Sequence, residues 1–220
     1  MTYYPIFVRL SGRRCVVVGG GRVAARKVDS LLDAGAAVTV VAPRLTAALA
    51  ARAERREIEW TARGYAAGDL DGAALAYAAT DDEALHARLA DDAAAAGILL
   101  NVVDRPQWCG FIVPSLLTRG DLTVAVSTGG GSPALARRVR QDIERALGPE
   151  YERALDVLAR LRRHLQARPL SSDDRQRILT GLVASDLLDR LRGPDTAAVD
   201  RLLAEHAGDD VSLASLGAQL

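Results

Sequence analysis

A run of three glycines near the N-terminus is the clearest candidate for chemistry in this chain. The segment Gly19-Gly20-Gly21-Arg22-Val23-Ala24 fits the dinucleotide-binding pattern G-x-G-x-x-(G/A) and follows an apolar run, Cys15–Val18, typical of a buried strand. In that pattern the first glycine permits a tight turn, the second lets the backbone approach a pyrophosphate, and the last small residue lets the helix pack closely. The alternative is a plain glycine turn. The predicted cofactor-binding residues here are Gly19, Gly21, Arg22, Val23 and Ala24.

The end of the second predicted strand bears on which dinucleotide is bound. An acidic residue there would select the ribose 2′-hydroxyl of NAD, but the segment Val40–Arg44 contains no carboxylate. Pro43 and Arg44 are predicted to lie beside the adenosine. Arg44 could meet a 2′-phosphate, which favours NADP, or could be a solvated residue at a helix start. The residues alone leave both interpretations open.

Three further polar residues lie at or just after the ends of predicted strands, where ligands of open α/β sheets bind. Thr80 is predicted to line the nucleotide crevice, with Asp81 or Asp82 capping the next helix. Asn101 could hold a ligand or cap the strand end. Asp104 could be catalytic, or could start a turn before Pro106.

A second glycine-rich loop, Ser127–Gly131, leads into another predicted helix. Ser132 suits the N-cap of that helix and Pro133 its first position. Three glycines cost backbone entropy that a simple cap does not require, which favours close approach to an anionic ligand or a partner subunit. The candidate substrate-binding residues of this region are Thr128, Gly129, Gly130, Ser132, Arg137 and Arg138, although a solvated helix face would also explain the arginines.

Alternating strand and helix patterns must position these residues. Strands are predicted over 15–18, 37–41, 58–61, 74–79 and 98–103, with helices over 23–34, 45–55 and 83–95. Continuous apolar strands that alternate with helices indicate a parallel sheet covered on both faces, a doubly wound Rossmann-like α/β domain. Beyond it we predict strands over 110–114 and 122–127, and helices over 133–146, 151–166, 173–192 and 196–206. The expected domains are 1–109 for NAD binding, 110–148 as a small α+β region and 149–220 as a helical domain.

The composition narrows the class of protein. The 220 residues carry 28 basic and 28 acidic side chains, so no basic field points to nucleic acid. No apolar stretch approaches the roughly 20 residues of a membrane span, and Cys15 and Cys109 do not form a disulfide framework. The three histidines are scattered, so no metal site is predicted. We expect a soluble, cytoplasmic protein. Lys27 is its single lysine.

Six motifs, in order, resemble the precorrin-2 dehydrogenase module of siroheme synthases over about Tyr4 to Leu147. The resemblance implies a homodimer, with residues 110–148 as its dimerisation region, that oxidises precorrin-2 to sirohydrochlorin with NAD⁺. It identifies Asp104 as the acid/base residue and favours NAD over NADP, and some members also insert Fe²⁺. The family can carry a phosphorylated serine where this chain has Thr128. The motifs are Tyr4–Phe7, Gly19–Lys27, Ala78–Asp82, Asn101–Asp104, Phe111–Ser115 and Ser127–Pro133.

The tetrapyrrole that the resemblance implies carries eight carboxylates, which arginines would orient. Candidates are Arg105, Arg119, Arg137 and Arg138. The chain ends at Leu220, so we expect methylation to be done by another protein. An alternative is an NAD(H)-sensing regulatory module whose helical tail binds a partner. A third interpretation is an oxidoreductase that acts on another small molecule.

Overall fold

Short valine- and alanine-rich runs form the centre of the first half of the molecule. The computed structural model describes residues 3–193 and 195–219. The runs are buried because both faces of the sheet that they form are covered by helices. The strands are β1 (Arg14–Val18), β2 (Ala37–Val41), β3 (Glu59–Thr61), β4 (Leu75–Ala78) and β5 (Leu99–Val102), and the helices are α1 (Arg22–Asp33), α2 (Ala47–Glu54) and α3 (Glu83–Ala95).

All neighbouring strands of this sheet are parallel, in the order β3-β2-β1-β4-β5. The chain therefore reverses its direction of winding between β1 and β4, which creates the crevice where doubly wound sheets bind ligands. One face of the sheet shares an apolar core with α1, and the other shares one with α3. The predicted Rossmann-like α/β fold is confirmed.

The second half begins with an antiparallel hairpin. Strands β6 (Ser115–Arg119) and β7 (Leu122–Val126) pair in the register Ser115↔Val126, and α4 (Pro133–Ala146) packs against both. The predicted strand over 110–114 is wrong. Gly110 N–H donates to the Leu100 carbonyl at 2.8 Å and Pro114 has no N–H to donate, so the ladder starts only at Ser115.

Helices with leucines on their inner faces make up the rest of the chain. The predicted single helix over 173–192 is wrong, because it is interrupted at Ser185. The Ser185 hydroxyl donates to the Leu182 carbonyl at 2.7 Å and accepts from the Leu187 N–H at 3.3 Å, so it replaces backbone hydrogen bonds. The last helix was not predicted. These helices are α5 (Glu150–Gln166), α6 (Ser172–Ala184), α7 (Leu187–Leu191), α8 (Thr196–Ala207) and α9 (Leu213–Leu216).

The chain folds into two compact units, Met1–Val113 and Pro114–Leu220. This division lies close to the predicted boundary at residue 109. The further boundary at 148 falls inside the second unit and stays a prediction, although Gly148-Pro149 does separate α4 from α5. Within the described residues, no helix has the length and apolarity that a bilayer crossing needs.

Candidate active site

The first two glycines of the loop between β1 and α1 are required by close backbone packing. Gly19 has a φ of 125°, and a Cβ there would lie 2.2 Å from the Ala79 carbonyl oxygen. A Cβ on Gly20 would lie 2.0 Å from the Arg44 carbonyl oxygen. The turn is thus pressed between the ends of β4 and β2. The sequence pattern assigned no role to Gly20, because its middle position is unspecified.

Gly21 has a different reason to be glycine. A Cβ there would meet nothing within 4 Å, so the protein itself does not exclude a side chain. Gly21 is the N-cap of α1, which has no side-chain cap hydrogen bond and no acidic residue in its first turn, while Ala24 is fully buried. Uncapped N–H groups and the positive end of a helix dipole favour an anion. Arg22 is exposed and Val23 half-buried at this open end, so the residues fit a dinucleotide pyrophosphate.

The strand ends beside this loop carry the other predicted nucleotide residues. Pro43 and Arg44 are exposed after β2, and the described residues give Arg44 no ion pair. Thr80 is half-buried after β4, where its hydroxyl accepts from the Asp82 N–H at 3.4 Å. Asp82 caps α3 by accepting from the Leu85 N–H at 3.1 Å, which confirms one of the two predicted caps. The structure brings these side chains to the same edge of the sheet as the glycine loop.

Asp104 follows β5 at that same edge in an unusual backbone conformation. Its φ is 60°, in the left-handed region where Asp is tolerated but non-glycine residues are uncommon, and its side chain is exposed. Residues held in such conformations cluster at functional sites. Arg105 N–H donates to the Val102 carbonyl at 3.2 Å and closes the turn beneath it. The backbone therefore presents the carboxylate outward from the end of β5.

A cysteine that sequence reasoning did not use holds this turn in place. The Cys109 thiol accepts from the Val102 N–H at 3.3 Å and donates to the Val102 carbonyl at 3.2 Å. Burial raises the pKa of Cys109, so the thiol stays protonated and can donate. No spacing pattern marks a lone cysteine of this kind, and both cysteines of the chain are free, as expected.

Asn101 is buried, and its amide is used within the protein. It donates to the Phe111 carbonyl at 2.9 Å and contacts the Cys109 sulfur at 3.6 Å. These hydrogen bonds favour the interpretation that Asn101 caps the end of β5 rather than holds a ligand. Its role in cofactor binding stays a prediction.

Three of the four candidate arginines have acidic partners. Arg105 pairs with Glu83 at 2.6 Å, and Arg138 pairs with Asp142 at 3.1 Å. Arg119 lies 3.7 Å from Glu144 and donates to the Leu147 carbonyl at 3.3 Å, which ties β6 to the end of α4. Arg137 is exposed, and the described part of the chain offers it no ion pair.

The second glycine-rich loop is closed by its own side chains. The Thr128 hydroxyl donates to the Ser132 carbonyl at 3.0 Å and accepts from the Ser132 N–H at 3.1 Å. Gly129 and Gly130 have φ values of 64° and 88°, which glycine adopts at no steric cost. The Ser132 hydroxyl caps α4 by accepting from the Leu135 N–H at 3.2 Å, as the sequence predicted. Nothing in this loop requires a ligand.

Comparison with known proteins places the chain in a family. Residues 6–115 match the model described as "Putative NAD(P)-binding", and residues 119–146 match "Sirohaem biosynthesis protein central". A siroheme synthase of Azotobacter vinelandii is 44% identical over 214 residues, which cover 94% of this chain and 45% of that protein. A siroheme synthase of Thioalkalivibrio sulfidiphilus is 41% identical over 203 residues, 92% of this chain and 42% of the relative. The chain thus spans somewhat less than half the length of these curated relatives.

A solved structure named "SirC, precorrin-2 dehydrogenase" has the same fold, with a TM-score of 0.73 and 24% identity over 91% of this chain and 98% of the other. The parallel sheet and the open glycine loop define a Rossmann-type dinucleotide-binding protein. The chain belongs to the NAD(P)-binding family whose model covers residues 6–115. Its resemblance to the N-terminal module of siroheme synthases is confirmed.

Proposed function

We propose that this chain is a precorrin-2 dehydrogenase that uses NAD⁺ to oxidise precorrin-2 to sirohydrochlorin. The observation that carries the proposal is an exposed carboxylate, Asp104, held at a φ of 60° on the same sheet edge as the uncapped start of α1. The names of the similar siroheme synthases and of the similar dehydrogenase structure support this choice of substrate.

In the proposed reaction, one set of residues of the first unit binds the cofactor and another removes the proton. The N–H groups at the start of α1 bind the pyrophosphate, and Gly21 leaves room for its approach. When bound, NAD⁺ supplies the hydride acceptor. The substrate loses a hydride and a proton, and the Asp104 carboxylate takes the proton as general base. The products are sirohydrochlorin, NADH and, after release from Asp104, one proton.

Among the four candidate arginines, we propose Arg137 as the one that meets a carboxylate of the substrate. Its guanidinium is exposed and has no acidic partner in the described residues, whereas the other three would have to leave theirs. A charge-assisted hydrogen bond to a substrate carboxylate would therefore cost Arg137 no existing ion pair.

The direct test is NADH formation from NAD⁺ and precorrin-2 prepared without oxygen, with NADP⁺ in a parallel assay. We expect turnover with NAD⁺ and a sirohydrochlorin absorption spectrum in the product. Binding of NAD⁺ without turnover would contradict the proposal and favour an NAD(H)-sensing module. Turnover of a different reduced substrate would keep the oxidoreductase and change its substrate.

Iron insertion into sirohydrochlorin is proposed as a second reaction of the same site, with Fe²⁺ as a substrate. The described residues contain no cluster of three metal-ligating side chains, so the tetrapyrrole nitrogens would supply the ligands. Asp104 is suited to accept the pyrrole protons that the metal displaces. Siroheme formation from sirohydrochlorin and Fe²⁺, compared with the uncatalysed rate, tests this step separately from the dehydrogenase.

We also propose that the chain forms a homodimer through β6, β7 and α4. A two-stranded sheet is marginal by itself, and the described residues pair neither outer edge of this one. Leu116, Leu135 and Val139 are exposed on these elements by 51%, 54% and 37%. A second copy could cover this apolar surface. A light-scattering mass of one chain at micromolar concentration would contradict the dimer.

A reducing compartment suits the two free cysteines, one of them buried in the core. We therefore propose that the protein works in the cytoplasm. Fractionation of cells that express the tagged chain tests this location.

A further inference from the structure

His86 is the one histidine of the first unit, and helix α3 buries it. Its exposed fraction is 3%, and it shares the inner face of α3 with Leu89 and Ala93. An apolar side chain would suit such a position, because a buried imidazole must satisfy two ring nitrogens. Nδ1 is buried, and the described residues offer it no hydrogen bond. Packing alone therefore does not account for an imidazole at this place.

The other ring nitrogen, Nε2, is joined to the nucleotide side of the site. It lies 2.8 Å from the Thr80 carbonyl oxygen, and since a carbonyl can only accept, Nε2 carries the proton and donates. Thr80 follows Ala79, whose carbonyl oxygen a Cβ on Gly19 would meet at 2.2 Å. His86 thus holds the strand-end segment that packs against the first glycine loop.

The His86 ring also contacts the segment that carries Asp104. It meets the Trp108 ring edge-on, with 5.6 Å between the ring centroids, a favourable arrangement for two aromatic rings. Trp108 ends a short 3-10 turn, and its N–H donates to the Arg105 carbonyl at 3.2 Å. Because Arg105 directly follows Asp104, this ring contact supports the turn from which the carboxylate projects.

An ion pair connects the same helix to the same turn. Glu83, in the first turn of α3, pairs with Arg105 at 2.6 Å. The two side chains are 67% and 40% exposed, so this pair contributes little by itself. The buried ring is the firmer connection, and it contacts both strand-end segments, one at Thr80 and the other at Trp108.

We propose that His86 is a positioning residue that holds the nucleotide-binding segment and the Asp104 turn in one arrangement. Its Nε2–H fixes the Thr80 segment beside the glycine loop, and its ring supports Trp108 at the end of the Asp104 turn. Because the ring is buried, it acts through these neighbours. Hydride and proton transfer require closely defined geometry, so the spacing of the two segments bears on turnover. The inference rests on the proposed dehydrogenase function.

Two substitutions separate the two contacts. His86→Gln keeps an N–H donor for the Thr80 carbonyl and removes the ring, whereas His86→Phe keeps a ring for Trp108 and removes the donor. We expect His86→Phe to weaken NAD⁺ binding about fivefold, the effect of one lost hydrogen bond, and to keep kcat at saturating NAD⁺. We expect His86→Gln to keep NAD⁺ affinity and to lower kcat about tenfold, because the Asp104 turn loses its support. Isothermal titration and NADH formation measure the two quantities.

His164→Gln is the matched control. His164 lies on α5 in the second unit and also has a buried ring nitrogen that forms no hydrogen bond in the described part of the chain. NAD⁺ affinity and kcat should stay at their wild-type values. A merely structural His86 would lower the melting temperature of both variants and leave binding and turnover intact below it. Unchanged NAD⁺ affinity in His86→Phe, or wild-type kcat in His86→Gln, would overturn the proposal.

The wild-type protein allows a measurement that depends neither on a variant nor on turnover. With ¹⁵N-labelled histidine and no histidine tag, the chain gives signals from three imidazoles. We expect the His86 signals to report a proton on Nε2 and to shift when NAD⁺ is added, whereas those of His164 should not. Unshifted His86 signals at saturating NAD⁺ would overturn the proposal. If NAD⁺ binds but precorrin-2 is not oxidised, the proposed function fails, whereas this shift and the NAD⁺ affinities still decide whether His86 positions the Thr80 segment.

Discussion

Two glycine-rich junctions in this protein look alike in sequence and differ in structure. Each has a strand, three consecutive glycines and a helix, first before α1 and again before α4. At the first junction the helix start has no side-chain cap and its last glycine faces open space. At the second, Ser132 caps the helix and Thr128 closes the loop with two hydrogen bonds.

The difference shows which structural feature must accompany a run of glycines before that run indicates an anion-binding site. At the second junction Gly129 and Gly130 are explained by positive φ values, and a Cβ on Gly131 would lie 3.3 Å from the Thr128 carbonyl oxygen. The helix start there is satisfied by its own serine. At the first junction, Gly19 and Gly20 are explained by backbone packing, but Gly21 and the open N–H groups are not explained by the protein. An unsatisfied helix start therefore distinguishes a binding loop from a turn.

The largest effect is expected from substitution of Asp104, which tests whether the first unit carries the catalytic base. We expect Asp104→Asn to lower kcat by roughly 10²- to 10⁴-fold, the usual loss when a general base is removed. The fold should persist, since Asn tolerates a φ of 60° as well as Asp does. NADH formation in single-turnover assays measures the loss, with NAD⁺ affinity as the check on binding.

The matched control for this substitution is Asp121→Asn, an exposed acid in the β6–β7 turn of the second unit. Wild-type kcat is expected there. If Asp104→Asn keeps full turnover, the assigned base is wrong.

Alanine at Gly21 should weaken NAD⁺ binding without unfolding the protein, whereas alanine at Gly19 should lower the free energy of unfolding. Gly21→Ala has room for its methyl group and a φ of −86°, so the protein should stay folded. Crowding of the pyrophosphate should weaken NAD⁺ binding by roughly 10- to 100-fold, equivalent to one or two lost charge-assisted hydrogen bonds. Isothermal titration with NAD⁺ measures the change.

Gly19→Ala is the companion variant, because its Cβ would lie 2.2 Å from the Ala79 carbonyl oxygen. We expect the free energy of unfolding to fall by about 1–3 kcal/mol from this overpacking. Unchanged NAD⁺ affinity in Gly21→Ala would show that the first loop is only a turn, like the second.

Ser132→Ala tests the second junction. Loss of the cap on α4 should lower the free energy of unfolding by about 1 kcal/mol. NAD⁺ affinity should not change, because this loop is closed by the protein itself. Urea unfolding at one fixed protein concentration measures the first quantity, since a dimer makes stability depend on concentration. A loss of NAD⁺ binding would mean that the second loop takes part in the nucleotide site.

The sequence predicted more of the fold than of the site. Hydrophobic periodicity located β2, α3 and α4 with the bounds that the structure has, because buried strands and amphipathic helices leave regular patterns. It failed at Ser185, where a side chain replaces backbone hydrogen bonds, and at residues 110–114, where apolar residues have no partner strand. Sequence patterns describe the chain locally, and both failures depend on which groups meet in three dimensions.

The same limit applies to the site. Asp104 was found through its strand end and through the family resemblance, but its left-handed backbone was not foreseen. Cys109 was missed as part of the site, since a lone cysteine belongs to no spacing pattern and its thiol acts through hydrogen bonds to Val102 on β5. Arg105 and Arg119 were proposed as substrate ligands, yet the structure pairs them with acids that no spacing rule links to them.

The smallest expected effect concerns Arg44 and the choice of dinucleotide. Arg44 is exposed beside the glycine loop, with its carbonyl packed against Gly20. The described residues give its side chain no ion pair, so its guanidinium can meet a 2′-phosphate. Arg44→Ala should raise KM for NADP⁺ about two- to fivefold, the range of an exposed ion pair, and leave KM for NAD⁺ unchanged. The measurement is the ratio of kcat/KM for the two dinucleotides in wild type and variant. An unchanged ratio would mean that Arg44 is a solvated residue at the start of α2, and that the backbone at the end of β2 alone selects the cofactor.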